Sequence, residues 1–109
     1  MIKVTVYQDS EQVYTGIDVM GHAGYAESGS DIICAAVSAL TLNFCNSVEQ
    51  FTDDGFEGAV EEETGRFTFR FTSDISLESK LLMNSLVLGL ENIAGEYGKQ
   101  YIKIRYEEV

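Results

Sequence analysis

Apolar and polar residues alternate from Ile2 to Gln8, the period of a half-buried strand. Asp9-Ser10 suits a turn, and Val13 to Gly21 resumes extended character, which completes a first hairpin. Ala23 to Ser30 is rich in small residues and carries Gly24 and Gly29, so it reads as a loop. Ser30 or Asp31 can then cap a helix that runs to about Phe51. Phe56 to Glu63 and Arg66 to Thr72 flank Thr64-Gly65 as a second hairpin. Ser73 to Ser76 offers caps for a second helix to about Tyr97, Gly98 can end it, and Tyr101 to Tyr106 closes the chain as a strand. The order strand-strand-helix-strand-strand-helix-strand predicts an α+β fold, one domain over residues 1–109, with helices packed on a sheet.

Helical periodicity gives each helix a buried stripe. In the first, Ile33, Val37, Leu40, Phe44, Val48 and Phe51 recur at three- and four-residue steps. In the second, Leu82, Met83, Leu86, Val87, Leu90, Ile93, Ala94 and Tyr97 span about 140° of arc at about 100° per residue, enough to cover a sheet. Leu81 and Leu88 fall on nearly the opposite side, where a symmetric partner would hide them.

Composition narrows the function. Among 109 residues, 45% are hydrophobic, which suits a folded domain. Seven basic residues against eighteen acidic ones give a formal charge of -11, a field that repels phosphate backbones and anionic lipid and attracts a basic partner. Direct nucleic-acid binding is therefore not expected. The chain opens on a strand pattern rather than a signal peptide, and no uninterrupted apolar run approaches the roughly 18 residues of a membrane span. A cytoplasmic protein is expected. Cys34 and Cys45 would lie eleven residues apart on one helix, about 16 Å at ~1.5 Å per residue, so they cannot form a disulfide with each other.

Cys34 falls about 80° from the centre of the first helix's stripe, at a border that a substrate can reach. It is expected in the first turn, where unpaired backbone N–H groups and the positive end of the helix dipole favour a thiolate. His22, the only histidine, precedes the loop that leads into this helix, and an imidazole is a base suited to neutral pH. Gly21, Gly24 and Gly29 would let that loop hinge or let a substrate backbone lie close. The bland reading is a packed cysteine and a surface histidine, and spacing alone leaves both readings open. Cys45, three turns from Cys34, reads as packing.

Other chemistries fit worse. One histidine and two separated cysteines do not make a zinc set, and the carboxylates lack calcium-loop spacing, so neither metal nor cofactor is expected. Gly-Phe-Glu-Gly and Thr-Gly lie in hairpins rather than in a strand-to-helix phosphate loop. Glu61-Glu62-Glu63 reads as a solvated strand end.

Gly21-His22-Ala23, Gly29, and the run Asp31-Ile32-Ile33-Cys34-Ala35-Ala36-Val37-Ser38 resemble the signature of the ribosomal-processing cysteine protease family, often called Prp. Leu88 to Ile93 of the second helix is also similar, and the likeness covers essentially the whole chain. The resemblance implies an endopeptidase that removes a short N-terminal extension from large ribosomal subunit protein twenty-seven, and it implies a homodimer. It assigns Cys34 as nucleophile and His22 as general base. Asp31 and Ser38 match the motif as possible supporting residues: Asp31 would cap the helix or orient His22, and Ser38 would bond to a helix carbonyl. A reading of another class is a non-catalytic acidic module that holds a basic ribosomal protein.

Overall fold

The two strand-strand-helix units and the final strand build one five-stranded sheet. The computed structural model describes residues 1–21, 28–97 and 100–109, with the backbone alone at residues 28–31. In chain order the elements are β1 (Ile2–Gln8), β2 (Tyr14–Met20), α1 (Ser28–Phe51), β3 (Phe56–Glu61), β4 (Arg66–Phe71), α2 (Leu77–Tyr97) and β5 (Ile102–Glu108). The expected element order holds throughout.

The strands lie in the order β3-β4-β2-β1-β5. All pairs are antiparallel except β1 with β5, which run parallel from Ile2 opposite Ile102 to Gln8 opposite Glu108. This full-length pairing carries β5 two residues beyond the expected end at Tyr106. The second hairpin is shorter than expected because its ladder closes at Glu61 opposite Arg66, leaving residues 62–65 as the turn, with Gly65 at φ 67°.

Alternation along the strands sends one set of side chains to a common core. Ile2, Val4 and Val6 of β1, Ile17 and Val19 of β2, Phe67, Phe69 and Phe71 of β4, and Ile102 of β5 are buried with residues of both helices. The opposite face of the sheet carries Lys3, Thr5 and Tyr7 on β1 and Lys103, Arg105 and Glu107 on β5, so the molecule has two layers with one sheet face open.

Both helical stripes follow the expected pattern except at their C-terminal ends. Ile33, Val37, Phe44 and Val48 are buried and Leu40 packs against them, but Phe51 is 73% exposed. On α2, Met83, Leu86, Val87 and Leu90 are buried, with Leu82, Ile93 and Ala94 partly so, whereas Tyr97 is exposed. In each case the stripe continues by periodicity past the last residue that the sheet can cover. The stretch Ile32–Phe51, with a mean hydropathy of 1.4, is long and apolar enough to cross a membrane by length and composition. Its buried residues Ile33, Val37, Phe44 and Val48 account for part of that apolar character, while Ile32, Leu42 and Phe51 are exposed.

The N-terminus of α2 is fixed by Ser76, as its sequence suggests. The Ser79 amide donates to Ser76 Oγ at 3.2 Å, and the Ser76 amide and hydroxyl donate to Asp54 Oδ2 at 3.0 and 2.7 Å. The loop after α1 is thereby tied to the start of α2. At the β5 edge of the sheet, the Tyr106 hydroxyl donates to Glu91 Oε2 of α2 at 2.7 Å, and burial, followed by this bond, raises the phenol above its ordinary range.

Candidate active site

The start of α1 differs from the sequence expectation. The helix begins at Ser28, so Gly29, Ser30 and Asp31 are helical rather than loop, and neither Ser30 nor Asp31 stands before the helix as its cap. Ser, Gly and Asp are weak helix formers by propensity, and here the helix nevertheless runs across them. Cys34 consequently sits six residues beyond Ser28, past the first turn, and the argument from unpaired N–H groups at a helix end does not apply to it.

The placement of Cys34 at the edge of the buried stripe does hold. Its side chain is half-buried and packs against the core, and neither cysteine is in a disulfide. It lines a cleft of about 260 Å³ between α1 and the end of the β3–β4 hairpin. Val37 and Thr41 of α1, Val19 of β2 and Phe67 of β4 form the largely apolar floor. Thr41 is only 2% exposed, and its hydroxyl is satisfied within the helix by donating to the Val37 and Ser38 carbonyls at 3.0 and 3.2 Å. Ser38, one turn after Cys34, is exposed along the same cleft.

The rim opposite α1 comes from the hairpin. Val60 of the hairpin and Leu42 of α1 face the cleft as exposed apolar residues, and Glu62, with Glu61 at the strand end next to it, makes the hairpin rim acidic. The glutamates read as a solvated strand end are indeed exposed, and they also border the thiol's cleft. Sequence reasoning missed this whole wall, because it lies about thirty residues along the chain from Cys34 and meets α1 only through the sheet order. Arg66 holds the wall in place by donating from Nε to Asp18 Oδ1 at 3.3 Å and from Nη2 to Oδ2 at 2.8 Å.

The end of β2 delivers the chain to the same cleft. Gly21 lines it and adopts φ 96°, a conformation that an L side chain rarely takes. A Cβ at this position would stand 2.6 Å from the Met1 carbonyl oxygen. The next residue is His22, which with Gly24 lies outside the described residues; Asp31 is placed by its backbone only. Gly21→Ala is expected to cost about 2 kcal/mol in a urea titration, combining the left-handed strain with the steric conflict. Unchanged stability would mean that the turn is not fixed as described.

Cys45 behaves as expected of a packed thiol. Its Sγ would lie 3.4 Å from a Cβ at Gly58, and burial, then the nearby Glu49, pushes the thiol up from its ordinary value. Such a group is a poor nucleophile at neutral pH.

A half-buried thiol in an open cleft, beside the turn that leads to the only histidine, is the arrangement of a thiol-dependent hydrolase. Known proteins share this sequence pattern and fold. The family model described as "Cysteine protease Prp" matches residues 1–103. The ribosomal processing cysteine protease Prp of Bacillus subtilis is 30% identical over 103 residues, covering 89% of this chain and 90% of that protein. Two crystal structures of the essential ribosomal processing protease Prp from Staphylococcus aureus each cover 98% of this chain and 100% of theirs. The one with a covalently linked product peptide superposes with a TM-score of 0.88 at 27% identity, and the one with a substrate peptide with 0.90 at 26%. The chain belongs to the Prp family of cysteine proteases.

Proposed function

We propose that this protein is a cytoplasmic endopeptidase that removes a short N-terminal extension from large-subunit ribosomal protein twenty-seven, a step needed for ribosome assembly. The observation that carries the reading is Cys34 on the wall of an open cleft whose other end is the turn into His22. Cys34 Sγ attacks the scissile carbonyl carbon while His22 takes the thiol proton. The imidazolium then gives that proton to the leaving amine as the peptide bond breaks, which leaves a thioester on Cys34. Water, deprotonated by His22, hydrolyses the thioester and regenerates the thiol. Ser38 lies beside this path, and Asp31, about one turn before Cys34 on α1, would orient His22.

The charge of -11 and the acidic rim at Glu61 and Glu62 suit a basic ribosomal protein as substrate. The test is to incubate the protein with N-terminally extended ribosomal protein twenty-seven and read the product masses. Loss of the extension supports the proposal, whereas tight binding with an intact substrate would favour the acidic binding module instead.

The enzyme works as a homodimer in this account. Leu81 and Leu88 on the outer side of α2 are 70% and 59% exposed, and Leu77 on the same side is 79% exposed. A stripe of this kind is hidden most simply by its own copy. Sedimentation should show a dimer for the wild type and a monomer for Leu81→Glu with Leu88→Glu. A wild type that stays monomeric at tens of micromolar would exclude the dimer.

A further inference from the structure

The open face of the sheet is electrically unlike the rest of the chain. Lys3, Arg66, Arg70, Lys103 and Arg105 project from it by strand alternation, so it holds five of the seven basic residues. Four carboxylates share the face: Asp18, Glu57, Glu61 and Glu107. That leaves two basic and fourteen acidic residues for everything else.

Three of these carboxylates are already engaged by arginines. Asp18 pairs with Arg66, Glu57 with Arg70 and Glu107 with Arg105, while Glu61 accepts a bond from Thr64. Lys3 and Lys103 are different. They stand side by side in the parallel register of β1 and β5, and among the described residues neither has a carboxylate at ion-pair distance. Like charges in such a position repel each other unless an anion lies between them.

A hollow of about 440 Å³ opens at this point, lined chiefly by Lys3, Lys103, Arg105, Thr5 and Tyr7, with Asp18, already held by Arg66, as its one carboxylate. Arg105 is aimed there by the bond from its Nε to Thr5 Oγ1 at 3.2 Å. Tyr7 and Asp18 are shared with a second, mainly apolar trough of about 590 Å³, whose centre is kept low by Gly16, Ala59 and Thr68. A hollow rich in basic side chains thus adjoins a trough with Tyr7 at the boundary between them. Lys3 and Tyr7 are four extended residues apart, about 13 Å.

We infer that the open sheet face binds a nucleoside diphosphate, its phosphates held by Lys3, Lys103 and Arg105 and its base lying against Tyr7 in the trough. The acidic remainder of the molecule opposes a long polyanion. A compact ligand avoids that repulsion, because at physiological salt the field decays over about 8 Å. The site lies on the opposite layer from the thiol's cleft, and it uses sheet side chains rather than a phosphate-binding loop.

Calorimetric titration of the whole protein with ADP tests the inference, with pyrophosphate, adenosine and a short oligoadenylate as separate ligands. ADP should bind saturably, pyrophosphate more weakly, and adenosine more weakly than ADP. Lys3→Gln with Lys103→Gln should weaken ADP binding about tenfold or more, since two charge-assisted contacts are lost. Lys3→Arg with Lys103→Arg should retain most of it. Tyr7→Leu should weaken ADP roughly fivefold or more while leaving pyrophosphate unchanged, which a general loss of structure would not do. Thermal melts establish that each variant is folded. No saturable ADP binding by the wild type, or wild-type affinity in the glutamine double variant, would overturn the site. Oligoadenylate binding more tightly than ADP would overturn the small-ligand assignment in favour of RNA.

Discussion

Cys34→Ala is expected to lower cleavage of the extended ribosomal protein by a factor on the order of 10⁴ or more while leaving the fold in place. Without the sulfur there is no thioester, and the remaining cleft can only bind the peptide. The stability change should stay below about 1 kcal/mol, because Cys34 is half-buried at the border of α1 and alanine keeps the helix. Cys45→Ala is the control: it removes a packed thiol under Gly58 and should alter stability but not turnover. A Cys34→Ala protein that cleaves at the wild-type rate would show that the nucleophile has been assigned wrongly. His22→Ala should behave like Cys34→Ala, since the thiol would then lack its base.

Phe44→Ala should destabilise the protein by about 3–5 kcal/mol, a large share of the roughly 5–15 kcal/mol that holds a domain together. Phe44 is 3% exposed, meets Phe69 edge-on at a centroid distance of 4.7 Å, and stands at 90° to Phe71 at 6.5 Å. These rings fasten α1 to β4, one wall of the cleft to its floor. The melting temperature should fall by roughly 10–20 °C. Phe51→Ala should cost less than about 0.5 kcal/mol, because that ring is 73% exposed. Equal losses at the two positions would contradict the packing described for α1.

Periodicity placed Phe44 and Phe51 on one stripe, and only the structure separates them. Local pattern reports which way a side chain points on its helix, but not where the opposing sheet ends. Strand alternation was read correctly from Ile2 to Gln8 because its partners on both sides bury one face. The length of β5 was not, since it is set by pairing with β1 about a hundred residues earlier. The same distinction holds at the site. The border position of Cys34 followed from helical angles, whereas the start of α1 did not, because a small-residue run is compatible with loop and helix alike. Leu42, Thr41, Val60 and the rim glutamates became cleft residues through the order β3-β4-β2, which no local motif encodes. His22 was legible as a candidate from its chemistry and from its place beside Gly21.

The most direct measurement is to map the site of covalent capture by a peptide chloromethyl ketone that carries the residues preceding the cleavage point of ribosomal protein twenty-seven. Peptide mass mapping after reaction with the wild type should find one adduct, on Cys34, with Cys45 unmodified. Cys34→Ser should give none, and Cys45→Ser should react as fast as the wild type. An adduct on Cys45, or no adduct from an enzyme that still cleaves its substrate, would contradict the account.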